Sequence, residues 1–180
     1  MAILAIMVRE NSMTLTHRTY LVVVLLVAAW CGGILLAPAL SGSMPGVSSA
    51  LYACYEPICH QIDARSFHSD GGKLAVCARC SSIYFTFLLA LIAYPLFRRL
   101  SEQSLPSRFW IVVAIGPMVV DVTLNFLGLH GSTLLTRAVS GGLFGLIVPW
   151  YIIPVLVEAV SQLRSQLLSR GGLFYARKAQ

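Results

Sequence analysis

The sequence predicts an all-α integral membrane protein in which four transmembrane helices form a bundle. Of its 180 residues, 57% are hydrophobic and only 11% are charged, whereas soluble globular domains are about 45–50% apolar and about 25% charged. Four apolar stretches are long enough, or nearly so, to cross a bilayer, which needs roughly 20 helical residues. This composition excludes a disordered chain, and a content of 5 cysteines is too low for a disulfide-rich secreted fold.

Each predicted span is an apolar run with polar residues at its ends. The first span, residues 20–40, is uninterrupted, and the second, residues 81–97, is the shortest. Its Pro95 stands close to the interface, where freed backbone groups find other partners. The third span covers residues 109–129 and the fourth covers residues 135–160. We expect kinks in both, because proline removes a backbone hydrogen bond; the prolines concerned are Pro117, Pro149 and Pro154.

The distribution of basic residues predicts the side of the membrane that each connection faces. Lysine and arginine are most frequent in the tail 1–19, the loop 98–108 and the tail 161–180. The other side has only those of the loop 41–80 and Arg137 near the start of the fourth span. Cytoplasmic segments carry the excess of basic residues. Both termini are therefore predicted to be cytoplasmic, with the long loop facing outward from the cytoplasmic membrane of a bacterium or archaeon. The final tail is expected to lie in the interface.

The net charge of +6 does not indicate a protein that binds nucleic acid. The basic residues stand singly beside apolar segments, a distribution that suits contact with anionic lipid headgroups. The lipid bilayer is therefore the expected partner. The sequence motifs of phosphate-binding, dinucleotide-binding, zinc-protease and serine-hydrolase sites are missing, so the sequence leaves open whether the protein is an enzyme.

Cysteine and histidine residues in the long loop form a candidate metal site. Cys77 and Cys80 have the two-residue spacing with which both sulfurs reach one metal ion or close a small disulfide ring. They lie where the second span is predicted to begin, and the free N–H groups and dipole of a helix N-terminus favour thiolate. Together with Cys59 and His60 they can form a Cys3His site for zinc or iron. His68 is a second candidate for the histidine ligand.

Two alternatives use the same thiols. In one, a disulfide between Cys77 and Cys80 exchanges with a pair formed by Cys54 and Cys59 and passes electrons to a membrane quinone. The size and topology resemble those of the disulfide-forming quinone reductases and the vitamin K epoxide reductase family, although here these four cysteines share one loop. In the other, the four cysteines form two structural disulfides in an oxidising compartment.

A polar group is predicted inside the membrane beneath the loop. Asp121 and Asn125 are one helical turn apart in the third span and share a face, and Arg137 lies just inside the fourth. Because an unpaired charge in the hydrocarbon is costly, we expect an ion pair between Asp121 and Arg137. This pair either locks the two helices together or helps to bind a ligand or a proton.

Small residues mark one face of the fourth span and indicate close helix packing. They are Gly141, Gly142 and Gly145. The neighbour on this face is either another helix of the chain or a subunit of a larger membrane complex. A role as an accessory subunit therefore stands as a further alternative function.

Three motifs follow one another along the loop: Cys-His-Gln at residues 59–61, Arg-Ser-Phe at 65–67 and Cys-Ala-Arg-Cys at 77–80, with Ile-Tyr at 83–84. They resemble the motifs of a family of small integral membrane proteins of bacteria and archaea, a domain of unknown function. The resemblance extends to Asp121, Arg137 and the glycines that follow. Cys54 is outside the family pattern, so the resemblance implies three thiols and one histidine, a set that suits a metal better than two disulfides. It implies no reaction.

Overall fold

The computed structural model describes residues 2–69, 72–100, 102, 104–129 and 131–178, with side chains from residue 15 onward except those of 164 and 167–178. In this part of the chain, four helical segments are long and apolar enough to cross a membrane: Leu15–Ala39, Ala78–Phe97, Phe109–Phe126 and Leu134–Leu163. The predicted fold class, a helical membrane protein with four spans, is confirmed.

The helices of the described residues are α1 (Ala2–Ala39), α2 (Pro45–Tyr55), α3 (Ala78–Phe97), α4 (Phe109–Phe126), α5 (Leu134–Ile147) and α6 (Pro149–Lys178). Helix α1 begins well before the apolar run at 20–40, because no glycine or proline interrupts the residues between 2 and 19. Helix α6 likewise continues into the segment 161–178. Hydropathy marks the part of a helix that suits hydrocarbon, and helical backbone continues beyond it.

The fourth span consists of two helices. Helix α5 ends at Ile147, and α6 begins at Pro149 after the single residue Val148. Proline has no N–H to continue the helical hydrogen bonds, and at the first position of a helix it needs none. The helices continue through Pro117 in α4 and Pro154 in α6.

The long loop has its own secondary structure and is attached to the end of α1. After α2 come a 3₁₀ turn at Asp63–Arg65 and an antiparallel pair of two-residue strands, β1 (His68–Ser69) and β2 (Gly72–Lys73). The Ser48 hydroxyl donates to the carbonyl of Ala37 at 2.6 Å. The loop is therefore a small folded cap on the end of the bundle.

Helices α3 and α5 run parallel and approach each other closely. A Cβ atom at Gly141 would lie 2.5 Å from the carbonyl oxygen of Arg79, and one at Gly145 would lie 2.3 Å from that of Ile83. Helix α4 packs on α5, and α1 packs on α2 and α3. The glycine face of the fourth span is therefore covered by α3 of the same chain.

The buried side chains form two clusters at opposite ends of the bundle. The cluster under the cap joins α1, α2 and the segment before α3: Ile34, Ala37, Tyr55, Cys59, Leu74, Ala75 and Val76. The cluster at the other end joins α1, α3 and α6: Tyr20, Leu91, Tyr94, Leu100 and Ile153. An apolar pocket of about 720 Å³ also lies at that end, beside Phe97, Trp110 and Trp150.

Candidate metal site

Three cysteines from two separate segments meet under the cap. The sulfur atoms of Cys59, Cys77 and Cys80 all lie within 4.8 Å of one another. Cys59 is buried, and the other two are half-buried. The backbone N–H of Cys77 donates to the sulfur of Cys59 at 3.2 Å, a contact that stabilises negative charge on that sulfur. We refer to these three residues as the thiol cluster.

The start of α3 positions two members of the thiol cluster. Cys77 is the N-cap residue, and Cys80 lies in the first turn, because α3 begins at Ala78, three residues before the start predicted at 81. Hydrogen bonding from Cys80, and to a lesser extent from Cys59, lowers the pKa of the Cys77 thiol to about 5. This hydrogen bonding favours the thiolate form of Cys77.

Cys59, the third member of the thiol cluster, is positioned by a residue with a left-handed backbone conformation. Gln61 has a φ of 51°, which costs a residue with a side chain about 1–2 kcal/mol. Its side-chain amide donates to the carbonyl of Tyr52 at 2.7 Å, and its own carbonyl accepts from the ammonium of Lys73 at 2.7 Å. These bonds hold the turn that leaves Cys59 buried and the next residue, His60, exposed.

Aromatic side chains form the wall beside the thiol cluster. The ring centroid of Trp30 lies 4.7 Å from that of Tyr55 and 6.0 Å from that of Tyr84. The Tyr55 hydroxyl donates to the carbonyl of Trp30 at 2.7 Å, and burial raises the pKa of this phenol. Tyr84 lies within electrostatic reach of all three thiols. The sequence analysis included Tyr84 only as part of the Ile-Tyr motif and did not predict that Trp30 and Tyr55 lie beside the thiols. The separation of Cys80 and Tyr84 by about one helical turn was the available signal.

The other candidate ligands lie outside the thiol cluster. His60 is not among the side chains that the structure brings together as a possible metal-binding group. His68 is exposed, and its Nε2 lies 3.2 Å from Oδ1 of Asp63. Cys54 is exposed on α2, and all five cysteines are free. The fold therefore unites three of the predicted ligands and does not pair Cys54 with them.

The expected ion pair between Asp121 and Arg137 is replaced by a different one. Asp121 is buried and accepts a hydrogen bond from the guanidinium of Arg79 and one from Ser132 at 2.8 Å. The earlier start of α3 places Arg79 in the first turn of that helix, from where its guanidinium reaches Asp121 on α4. Asn125 is half-buried, and its side chain is not among the partners of Asp121 in the described residues.

Arg137 lies beside this ion pair without joining it. Its side chain is 7% exposed, and its Nε is buried with no hydrogen-bond partner among the described residues. It lies within electrostatic reach of Arg65, Arg79, Asp121 and Cys77. The thiol cluster and the polar residues beneath it are therefore neighbours, joined by the first turn of α3.

Comparison with known proteins places these residues within the match to a single protein family. A family described as "Predicted membrane protein (DUF2085)" matches residues 59–151. The "Uncharacterized protein MJ1492" of Methanocaldococcus jannaschii is 40% identical over 114 residues, which are 63% of this chain and 73% of that protein. No solved structure matches the chain. The family match contains the thiol cluster, the Arg79–Asp121 ion pair and Arg137.

Proposed function

Since the chain belongs to this family of predicted membrane proteins, we propose that it is a multi-pass membrane protein that binds one zinc or ferrous iron ion. Cys59, Cys77 and Cys80 are the proposed ligands. The observation that carries the proposal is the 4.8 Å limit on the distances between their sulfurs. Tetrahedral zinc with Zn–S bonds of about 2.3 Å holds its sulfurs about 3.8 Å apart. An ion would therefore draw the sulfurs together by only about 1 Å.

The chemistry of the ligands also favours a thiophilic metal. Zinc and iron bind thiolates readily, whereas magnesium and calcium prefer oxygen. The low pKa of Cys77 and the N–H bond to the sulfur of Cys59 both favour the thiolate forms that a metal requires. The apolar and aromatic side chains around the sulfurs limit the access of water, which strengthens binding.

Three protein ligands leave a fourth position on the ion. In a Cys3His site this position belongs to His60, whose imidazole would have to turn inward from its exposed position. We propose instead that water or an external ligand completes the coordination, as in zinc sites that keep an open position. The folded cap would then present the open position to the outward side, with both termini in the cytoplasm, as the basic residues predict.

Elemental analysis of the detergent-purified protein tests the proposal. We expect about one zinc or iron ion per chain, lost in Cys77→Ser and retained in Cys54→Ser, which changes an exposed thiol outside the cluster. His60→Ala should also retain the metal if an external ligand fills the fourth position. Loss in His60→Ala would assign that position to the histidine. A protein without metal, or equal metal in Cys54→Ser and Cys77→Ser, would contradict the proposal.

A quinone-linked thiol oxidoreductase is the second candidate, and the low pKa of Cys77 is the observation in its favour. The apolar pocket is poorly placed for it. The pocket residue of α3 that lies nearest in sequence to Cys80 is Leu89, roughly 14 Å away along the helix. Thiols that appear only after reduction, and that change in number when quinone is added, would favour this candidate over the metal.

An accessory role in a larger complex finds less support. The small-residue face of the fourth span, which was the expected docking surface, is buried against α3. A partner subunit would have to use another surface of the bundle.

A further inference from the structure

Arg137 carries a positive charge whose partner is not found among the described residues. Its side chain is 7% exposed and its Nε is buried without an acceptor. Asp121, the expected partner, already accepts from Arg79 and Ser132. A buried charge is costly unless it is paired and hydrogen-bonded, so this guanidinium requires an anion from elsewhere.

Two further arginines lie around Arg137. Arg79 lies within electrostatic reach of Arg137, and its Nε is also buried with no partner in the described part of the chain. Arg65, at the end of the 3₁₀ turn of the cap, is exposed and lies within electrostatic reach of Arg137. Like charges that are brought together repel, and a bound anion relieves this repulsion.

The negative groups nearby do not balance these arginines. The groups within electrostatic reach of Arg137 are the carboxylate of Asp121 and the sulfur of Cys77 on one side, and the guanidinium groups of Arg65 and Arg79 on the other. Asp121 is the carboxylate among these groups, and it already accepts hydrogen bonds from Arg79 and Ser132.

The helices around Arg137 add to the positive potential. Helices α3 and α5 run parallel and both begin at this end of the bundle, with Cys77 and Thr133 as their N-cap residues. The free N–H groups and dipoles at helix N-termini favour an anion. Residues at the end of a span also lie at the level of the lipid headgroups.

We propose that Arg137, Arg65 and Arg79 form a binding site for the phosphate group of a ligand, either free phosphate or the phosphodiester of an anionic lipid. Guanidinium groups bind phosphate through paired, charge-assisted hydrogen bonds. A phosphate also supplies negative charge and acceptor oxygens to the buried Nε of Arg137, which has no partner among the described residues. The buried Arg137 is the main contact, and the exposed Arg65 closes the site from the cap. This site goes beyond the proposed metal function and does not depend on it.

Thermal unfolding of the full chain, followed by tryptophan fluorescence, tests the site with inorganic phosphate as the probe. Delipidated wild-type protein should show a melting temperature that rises with phosphate concentration and saturates. Arg137→Gln should lose this rise, and Arg65→Gln should need at least roughly tenfold more phosphate, because each lost charge-assisted bond weakens binding by about that factor. Arg108→Gln, which removes an exposed arginine at the start of α4, should behave as wild type.

The phospholipid that remains bound after purification distinguishes the two sources. About one phospholipid per chain in wild type, absent in Arg137→Gln, would identify a lipid headgroup, whereas direct binding of phosphate without retained lipid would identify a free anion.

If Arg137→Gln fails to fold, Arg137→Lys and Arg65→Gln test the same site. The proposal is overturned if both bind phosphate and retain lipid as wild type does. Cys77→Ser should bind phosphate even if it has lost its metal, so failure of one proposal does not imply failure of the other.

Discussion

Replacing Gly145 by alanine tests the close contact between α3 and α5. The added Cβ would lie 2.3 Å from the carbonyl oxygen of Ile83 and 2.2 Å from the hydroxyl oxygen of Thr86. The Thr86 side chain can rotate, but the carbonyl belongs to the backbone of a helix. A normal contact requires about 3.4 Å, so α5 must move away from α3 by about 1 Å.

The cost follows from what this displacement disturbs. Overpacking of a tight contact costs about 1–3 kcal/mol, which corresponds to a fall of roughly 2–12 °C in the melting temperature for a chain of this size. The displacement also stretches the hydrogen bond from the Thr86 hydroxyl to the carbonyl of Gly142, which is 3.0 Å long. Thermal unfolding in detergent measures the fall.

A neighbouring glycine supplies the matched control. A Cβ at Gly142 would lie 3.5 Å from Cγ2 of Thr86, which is an ordinary contact. Gly142→Ala should therefore melt at or slightly above the wild-type temperature, because alanine favours the helix. If Gly145→Ala and Gly142→Ala both melt as wild type does, the inferred close approach of α3 and α5 is wrong.

Two further substitutions test the polar pair and the cap. Asp121→Asn should lower the free energy of unfolding by about 3–5 kcal/mol, because it leaves the charge of Arg79 buried without its partner. The control Ser132→Ala removes one hydrogen bond to Asp121 and should cost only about 1 kcal/mol. Equal unfolding temperatures for the two variants would contradict the ion pair. Gly33→Ala should destabilise the cap and weaken metal binding, because its Cβ would lie 2.3 Å from the Tyr55 hydroxyl oxygen. In Gly32→Ala the new Cβ meets no atom within 4 Å, so the stability of the cap and the metal content should stay unchanged. Unfolding temperature and metal content measure these effects.

The sequence predicted the spans well and the cap poorly. Hydrophobic runs identify transmembrane helices because the bilayer imposes a length and an apolar surface on any segment that crosses it. The segment 41–77 has no such constraint, and its helix α2, its 3₁₀ turn and its strand pair went unpredicted. Only Pro45 at the first position of α2 offered a local signal for that helix.

The candidate site was predicted in part. The spacing of Cys77 and Cys80 indicated that both sulfurs can reach one metal ion or close a disulfide ring, and the structure brings the sulfur of Cys59 close to theirs, as predicted. His60 was grouped with them as well, because no feature of the sequence indicates that Gln61 adopts a left-handed conformation. That conformation depends on hydrogen bonds to Tyr52 and Lys73, which are distant along the chain.

Composition and local spacing by themselves determined that the chain crosses the membrane in helices, which residues carry thiols and which charges lie near the hydrocarbon. These properties follow from transfer free energies and from covalent distance, which act on each segment alone. The partners of the charges were decided by the tertiary structure. Asp121 could have paired with Arg137, and it pairs with Arg79 because the glycine face of α5 lets the first turn of α3 approach. An ion pair depends on the distance between atoms, and that distance exists only once the helices have packed.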